Sequence, residues 1–322
     1  MKYGYYPGCS LEKNARAYHE SALAVAQVFD IAFDEVDDWN CCGATEYFAL
    51  RALPAYALVA RNLALAAQQV AQGGARQVVA PCSACYLNLR KTDHYMAESP
   101  ELHARVNAAL AAGGLHYEPG SVEVRHLLDV FVHDVGLEAI AQRVVKPLYG
   151  LRVAPYYGCL VPRPAAIASF DDPEYPTSLD RLLATLGATV VDYPLKAHCC
   201  GGHLTQISED VALELLRRLL KNAADYRADV IAVICPMCQF NLDVYQDAVN
   251  KKFGTAYRIP VLYFTQLMGV ALGLPEDDLG LGKEFVDARP ALARIRAEPP
   301  RPTHRARARR RGLPMPPPRK EG

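Results

Sequence analysis

Ten cysteines carry the chemical potential of this chain: Cys9, Cys41, Cys42, Cys82, Cys85, Cys159, Cys199, Cys200, Cys235 and Cys238. They divide into two sets of five with one order, a single Cys, then Cys-Cys-Gly, then Cys-x-x-Cys. From single Cys to pair there are 31 intervening residues in the first set and 39 in the second; from pair to Cys-x-x-Cys there are 39 and 34. The neighbours repeat too. YYPGC at Tyr5 matches YYGC at Tyr156, and ARQVVAPCSACYLNL at Ala75 matches ADVIAVICPMCQFNL at Ala228. This is an internal duplication with an offset of about 150 residues.

Structural disulfides fit poorly, because the count in each set is odd and adjacent cysteines pair badly. A tetrahedral zinc site uses four thiolates and leaves a fifth over in each half. A thioredoxin-like dithiol accounts for Cys-x-x-Cys and not for the other three. An iron–sulfur cluster suits thiolate-rich loops, and five ligands suit one that needs an additional or bridging thiolate. Gly43 and Gly201 permit close backbone approach to such a ligand, as do Gly8 and Gly158 before the single cysteines. No ferredoxin run of Cys-x-x-Cys-x-x-Cys-x-x-x-Cys-Pro occurs, so ordinary electron-relay cubes must belong to another chain.

The elements that must position these residues alternate between strand and helix. KYGYY and LRVAPYY read as short strands ending at a Gly-Cys turn. AYHESALAVAQVF and TSLDRLLATLG read as amphipathic helices, and IAFDEV and ATVVDYP as strands leading to the Cys-Cys-Gly loops. The stretches ALRALPAYALVARNLALAAQQVA and EDVALELLRRLLKNAAD are helical, followed by RQVVA and DVIAVI, buried strands that are apolar without alternation. Each Cys-x-x-Cys then opens a helix, whose N-terminus favours thiolate. The expected fold is α/β, two pseudo-twofold-related Rossmann-like or flavodoxin-like halves with parallel sheets. The halves span 1–150 and 151–280, and 281–322 forms a basic Pro/Arg-rich tail expected to be disordered. In such sheets the loops beyond the strands' carboxyl ends gather, which would bring the five cysteines of each half to one site near the pseudo-twofold.

The formal charge of zero hides an asymmetry: from Arg294 onward there are ten Lys/Arg against two Glu, leaving an acidic body. No aromatic residue interleaves the tail arginines, which argues against nucleic acid. No secretion signal and no stretch long enough to span a bilayer is evident, so a reducing, cytoplasmic setting is expected.

These residues resemble the CCG-domain (cysteine-rich) family, most closely the B subunit of heterodisulfide reductase. The likeness covers about residues 1–275, including both cysteine sets, the YYPGC opening and the closing PVLYFTQLMGVALG. Similar chains serve lactate, glycolate and glycerol-3-phosphate oxidising systems and an unusual succinate dehydrogenase. The resemblance implies two noncubane [4Fe–4S] clusters, one on Cys9, Cys41, Cys42, Cys82 and Cys85, the other on Cys159, Cys199, Cys200, Cys235 and Cys238. It implies a small disulfide cleaved between them, with no fixed substrate. It also implies two partners that supply electrons, a ferredoxin-like C subunit with two [4Fe–4S] clusters and a flavin-containing A subunit. The alternatives kept beside it are an electron-transfer subunit of a related dehydrogenase or sulfur-oxidation complex, and zinc in one half.

Other residues have two readings each. His198 and His203 flank the second Cys-Cys-Gly and could protonate a leaving thiolate, or serve as ordinary loop histidines. Lys196 reads as solvated rather than as a counter-charge, Asn88 and Asn241 as cluster-sulfide donors or helix-surface residues, and Trp39 as core or cleft lining.

Overall fold

The computed structural model describes residues 1–44, 46–167 and 170–298. Eight strands form two sheets: β1 Lys2–Tyr5, β2 Ala32–Glu35, β3 Gln77–Ala80 and β4 Glu123–His126, then β5 Arg152–Tyr156, β6 Thr189–Val190, β7 Val230–Val233 and β8 Val261–Tyr263. The orders are β2-β1-β3-β4 and β6-β5-β7-β8, and every pairing is parallel. The central strand β7 is buried throughout, as its unbroken apolar run requires when helices cover both faces. The edge strands β2 and β6 are largely open.

In each sheet the chain runs outward from the first strand, then returns to that strand's other side. This reversal lies between β1 and β3, and between β5 and β7. Loops leaving neighbouring strands there diverge and open a crevice beyond their carboxyl ends. Cys9 follows β1, Cys41 and Cys42 follow β2, and Cys82 and Cys85 follow β3; the second set follows β5, β6 and β7 in the same way.

The halves interlock. Helix Arg16–Val28 packs on helix Phe264–Ala271, with Ser21 Oγ and Thr265 Oγ1 2.7 Å apart in the core. Tyr18 stacks on Tyr263 with ring centroids 4.3 Å apart. No described helix is long and apolar enough to cross a membrane.

The packed chain extends beyond the expected start of the tail at 281. Val286, Ala288 and Ala291 are buried, Phe285 and Val286 donate N–H groups to Asp243 at 2.8 and 3.1 Å, and Arg296 donates its N–H to the Tyr149 carbonyl at 2.7 Å. Apolar residues spaced through 281–295 supply the burial that composition alone obscured. The most arginine-rich portion, 299–322, for which disorder was expected, lies outside the described residues.

Candidate metal centre

All ten cysteines are free thiols, and the fold collects them into the two expected groups of five. Gly8 has φ +73°, and a Cβ there would stand 2.9 Å from Cys85 Sγ; Gly158 has φ +68°, and its Cβ would stand 3.0 Å from Cys238 Sγ. Both positions therefore require glycine for the single-Cys loop to close on the Cys-x-x-Cys turn. In the first set Cys9 Sγ lies 3.5 Å from Cys41 Sγ, and Cys42 Sγ 3.5 Å from Cys85 Sγ. In the second, Cys200 Sγ lies 3.6 Å from Cys238 Sγ, and Cys159 donates to Cys199. The groups touch: Cys82 donates to Cys235 across the boundary between the halves.

Cys82 and Cys235 are the N-caps of helices Ser83–Glu98 and Pro236–Val244, as the sequence pattern predicts. Thiols of Cys42 and Cys9 donate to Cys41 and hold it well below the ordinary thiol range. Cys159 does the same for Cys199, and Cys238 with Cys82 for Cys235. The donors Cys9 and Cys159 are pushed up by those bonds and by burial. Each group thus favours thiolate on particular sulfurs, the form that binds metal. Two gathered sets of five thiols, each favouring thiolate on particular sulfurs, fit a sulfur-ligated metal cluster in chemistry.

The supports are duplicated as well. Tyr6 OH donates to the Asn40 carbonyl at 2.6 Å and Tyr156 OH to the His198 carbonyl at 2.7 Å, in each case the residue before the adjacent pair. Asn88 Nδ2 donates to the carbonyls of Cys42 and Ala44 at 3.2 and 2.6 Å. Asn241 Nδ2 donates to the Gly202 carbonyl at 2.7 Å and lies 3.5 Å from Cys200 Sγ. Both asparagines are buried and brace the Cys-Cys-Gly loops, a role neither sequence reading contained.

Lys196 is not solvated. Its side chain is 1% exposed, its Nζ bonds Asp180 at 2.9 Å, and it sits 3.7 Å from the Tyr175 ring centroid. A carboxylate and an aromatic face supply the compensation a buried ammonium needs, and both come from segments remote in sequence. His203 Nδ1 lies 2.7 Å from Glu46 Oε2 of the first half, near enough to Cys41 for its charge to lower that thiol. His198 is exposed and contributes its carbonyl. Trp39 donates to Glu35 at 2.8 Å, packs edge-on to Tyr6, and lines an opening of about 430 Å³ beside Cys9 and Cys41. Glu12, Glu35, Asp37 and Asp38 make that opening acidic.

Several residues at the centre carried no sequence signal. Tyr18 OH reaches the carbonyls of Pro81 and Ile234, at 3.3 and 3.4 Å, and Ser83 Oγ reaches Ile234 at 3.4 Å. Those carbonyls precede Cys82 and Cys235, so both halves meet on one polar seam. His126 is wholly buried there. Burial lowers its pKa to about 4, and its Nδ1 accepts from Leu128 N–H at 3.1 Å. Its Nε2 faces the same two carbonyls without a bond of ordinary geometry to either. Ala80 pairs with His126 and Val233 with Tyr263, so His126 and Tyr263 end equivalent strands. Only extending the internal alignment to the fourth strand would have found that pair.

The sequence profile of the cysteine-rich domain matches residues 3–90 and again 153–243. The chain is 34% identical to the 8-methylmenaquinol:fumarate reductase membrane anchor subunit of Wolinella succinogenes, over 89% of this chain and 98% of that one. It is 31% identical to the B subunit of the ferredoxin:CoB-CoM heterodisulfide reductase of Methanosarcina mazei, over 91% and 97%. A hypothetical protein of Helicobacter pylori has the same fold at a TM-score of 0.69 and 16% identity, covering 89% of this chain and 52% of that one. The duplicated cysteine order, the paired parallel sheets and these two full-length likenesses together make the chain a member of the CCG cysteine-rich domain family, carrying two copies of the domain and similar to the heterodisulfide reductase B subunits.

Proposed function

We propose that the chain is the disulfide-reducing iron–sulfur subunit of a multi-subunit oxidoreductase. Cys9, Cys41, Cys42, Cys82 and Cys85 hold one noncubane four-iron cluster, and Cys159, Cys199, Cys200, Cys235 and Cys238 hold a second. The observation behind this reading is that two five-thiol sets gather at one crevice and touch through Cys82 and Cys235. Likeness to the heterodisulfide reductase B subunits of two Methanosarcina species supports the reaction class. When bound, such clusters supply single-electron steps and Lewis-acidic iron toward sulfur.

The protein's own groups do the rest. Asn88 and Asn241 hold the paired cysteines in place. The helix N-termini at Ser83 and Pro236 direct positive dipole at the thiolates. His203, oriented through Nδ1 by Glu46, presents Nε2 as a proton donor to a departing thiolate; His198 is the second candidate. The overall change is one low-molecular-weight disulfide plus two electrons and two protons giving two thiols, or its reverse. Electrons arrive from a partner with two conventional [4Fe–4S] clusters, itself served by a flavin-containing partner, in the reducing cytoplasm.

Anaerobic purification should yield about eight irons per chain, and reductant-driven turnover should appear with one or more of a panel of mixed disulfides. Stoichiometric zinc without iron would overturn the assignment. A second reading, an electron-transfer role within a larger enzyme, is favoured by the 34% identity to the fumarate reductase protein. Full iron, rapid dye reduction and no disulfide turnover would select it.

A further inference from the structure

We propose that His103, His116 and Glu118 form a zinc site on the first half, independent of the cysteine crevice. Helix Pro100–Leu110 carries His103, and the loop leading to β4 carries His116 and Glu118. Glu118 Oε2 lies 3.5 Å from His103 Nε2 and 3.7 Å from His116 Nε2, and the three ligand atoms all fall within 4.8 Å of one another. A tetrahedral zinc ion with bonds of ~2.0–2.1 Å spaces its ligands roughly 3.4 Å apart. His103 Nε2 also lies 3.2 Å from the Tyr117 carbonyl, a contact it gives up when the three groups close on one ion.

The loop is built to present these residues. Tyr117, between the two loop ligands, is fully buried. Its N–H donates to Asn107 Oδ1 at 2.8 Å, and its carbonyl accepts from Asn107 Nδ2 at 3.0 Å. Its hydroxyl donates to Asp93 Oδ1 at 2.6 Å, and Asp93 Oδ1 also accepts from Gly120 N–H at 2.8 Å. With Tyr117 turned inward, its neighbours His116 and Glu118 are left outside. Asn107 is one helical turn beyond His103, so the helix that offers the first ligand also grips the loop that offers the other two. Exposed His–Glu pairs alone contribute only ~0–1 kcal/mol; a divalent ion would unite all three groups.

Two imidazoles and one carboxylate suit zinc, leave a fourth position open, and suit magnesium or calcium poorly. The site enters β4 at its N-terminal end, whereas every cysteine loop follows a strand's C-terminal end. Zinc at this site should therefore vary independently of iron.

The test uses the full, cluster-loaded chain under anaerobic conditions, dialysed against zinc buffered at defined free concentrations. Wild type should hold one more zinc per chain than the His103→Gln/His116→Gln double variant, and Glu118→Gln should weaken zinc binding tenfold or more. Zinc-edge X-ray absorption should show nitrogen and oxygen neighbours at ~2.0–2.1 Å. Unchanged iron content in each variant establishes that it is folded; if the double variant loses iron, Glu118→Gln alone decides. Equal zinc in wild type and variants, or a sulfur-only shell at ~2.3 Å, would overturn the proposal.

Discussion

In the first half, the loop before the adjacent cysteines is gripped from outside. Arg61, on helix Ala52–Ala71, donates to the Asp38 carbonyl and carboxylate and to Asn40 Oδ1 at 3.0 Å, with the Asp38 side chain 80% exposed. In the second half the matching loop is gripped from inside by Lys196, buried against Asp180, while the part-exposed Arg163 donates to the Ala197 carbonyl. The first set opens on an acidic mouth with Cys9 and Cys41 exposed; in the second, Cys199 is exposed as Cys41 is, while Cys159 is partly covered. What holds the thiols has stayed the same in both repeats, because five sulfurs and two glycines tolerate little variation. What surrounds them has diverged.

The largest test of this comparison removes one thiol from each half. Cys42→Ser and Cys200→Ser should each lose about half of the iron, from one set only, and lower disulfide turnover by orders of magnitude. Iron and sulfide analysis with EPR of each variant decides it; full iron in either would dissolve the equivalence of the sets. Lys196→Met should destabilise the second half by up to ~3–5 kcal/mol, the range for breaking a buried pair, moderated because Asp180 keeps the Tyr157 hydroxyl at 2.6 Å and some solvent. Arg61→Met, breaking an exposed pair, should cost only ~0–1 kcal/mol. Equal shifts in thermal melts would erase the inside–outside distinction.

Position 243, five residues past the last cysteine of its set, sharpens the comparison by pH. Asp243 braces Phe285 and Val286 there, while Arg90, at the matching place in the first half, donates to the Ile167 carbonyl. Burial raises Asp243 to about 6 from 3.8. A carboxyl raised on folding stabilises the folded state below its unfolded pKa and loses that contribution as pH rises through its folded pKa. Relative to Asp243→Asn, the wild type should lose about 2 kcal/mol between pH 4 and pH 6, out of about 3 kcal/mol over the whole titration. Parallel stability curves for the two proteins would count against it. Arg90→Gln should instead change stability by the same amount at either pH. Gly8→Ala and Gly158→Ala should reduce iron in the substituted half alone, since each adds positive-φ backbone strain of about 1–3 kcal/mol and a Cβ 2.9 or 3.0 Å from a cysteine sulfur. Iron loss spread over both sets would mean that the halves do not load separately.

Most of the scaffold was legible before the fold was seen. The strands at KYGYY, IAFDEV, RQVVA, LRVAPYY, ATVVDYP and DVIAVI formed, shortened at their ends, and VLYFTQLMGVALG became β8 running into a buried helix. β4 has little pattern to read, because EVRH is short and only Val124 in it is apolar. Lys196 is buried where its local sequence reads as solvated, because a lysine's burial depends on partners far along the chain: Asp180 lies sixteen residues back and Tyr175 twenty-one.

The sequence by itself determined the duplication, the order of strand and helix, and the attachment of each thiol to a strand's carboxyl end, since hydrophobic period and cysteine spacing are local properties. Tertiary structure decided what crosses between repeats: Cys82 against Cys235, Tyr18 and Ser83 on carbonyls of both halves, His203 on Glu46, and His126 buried at the seam. Those contacts depend on how two similar sheets face one another, an orientation set by the summed packing of helices such as Arg16–Val28 and Phe264–Ala271 and by no single stretch of chain.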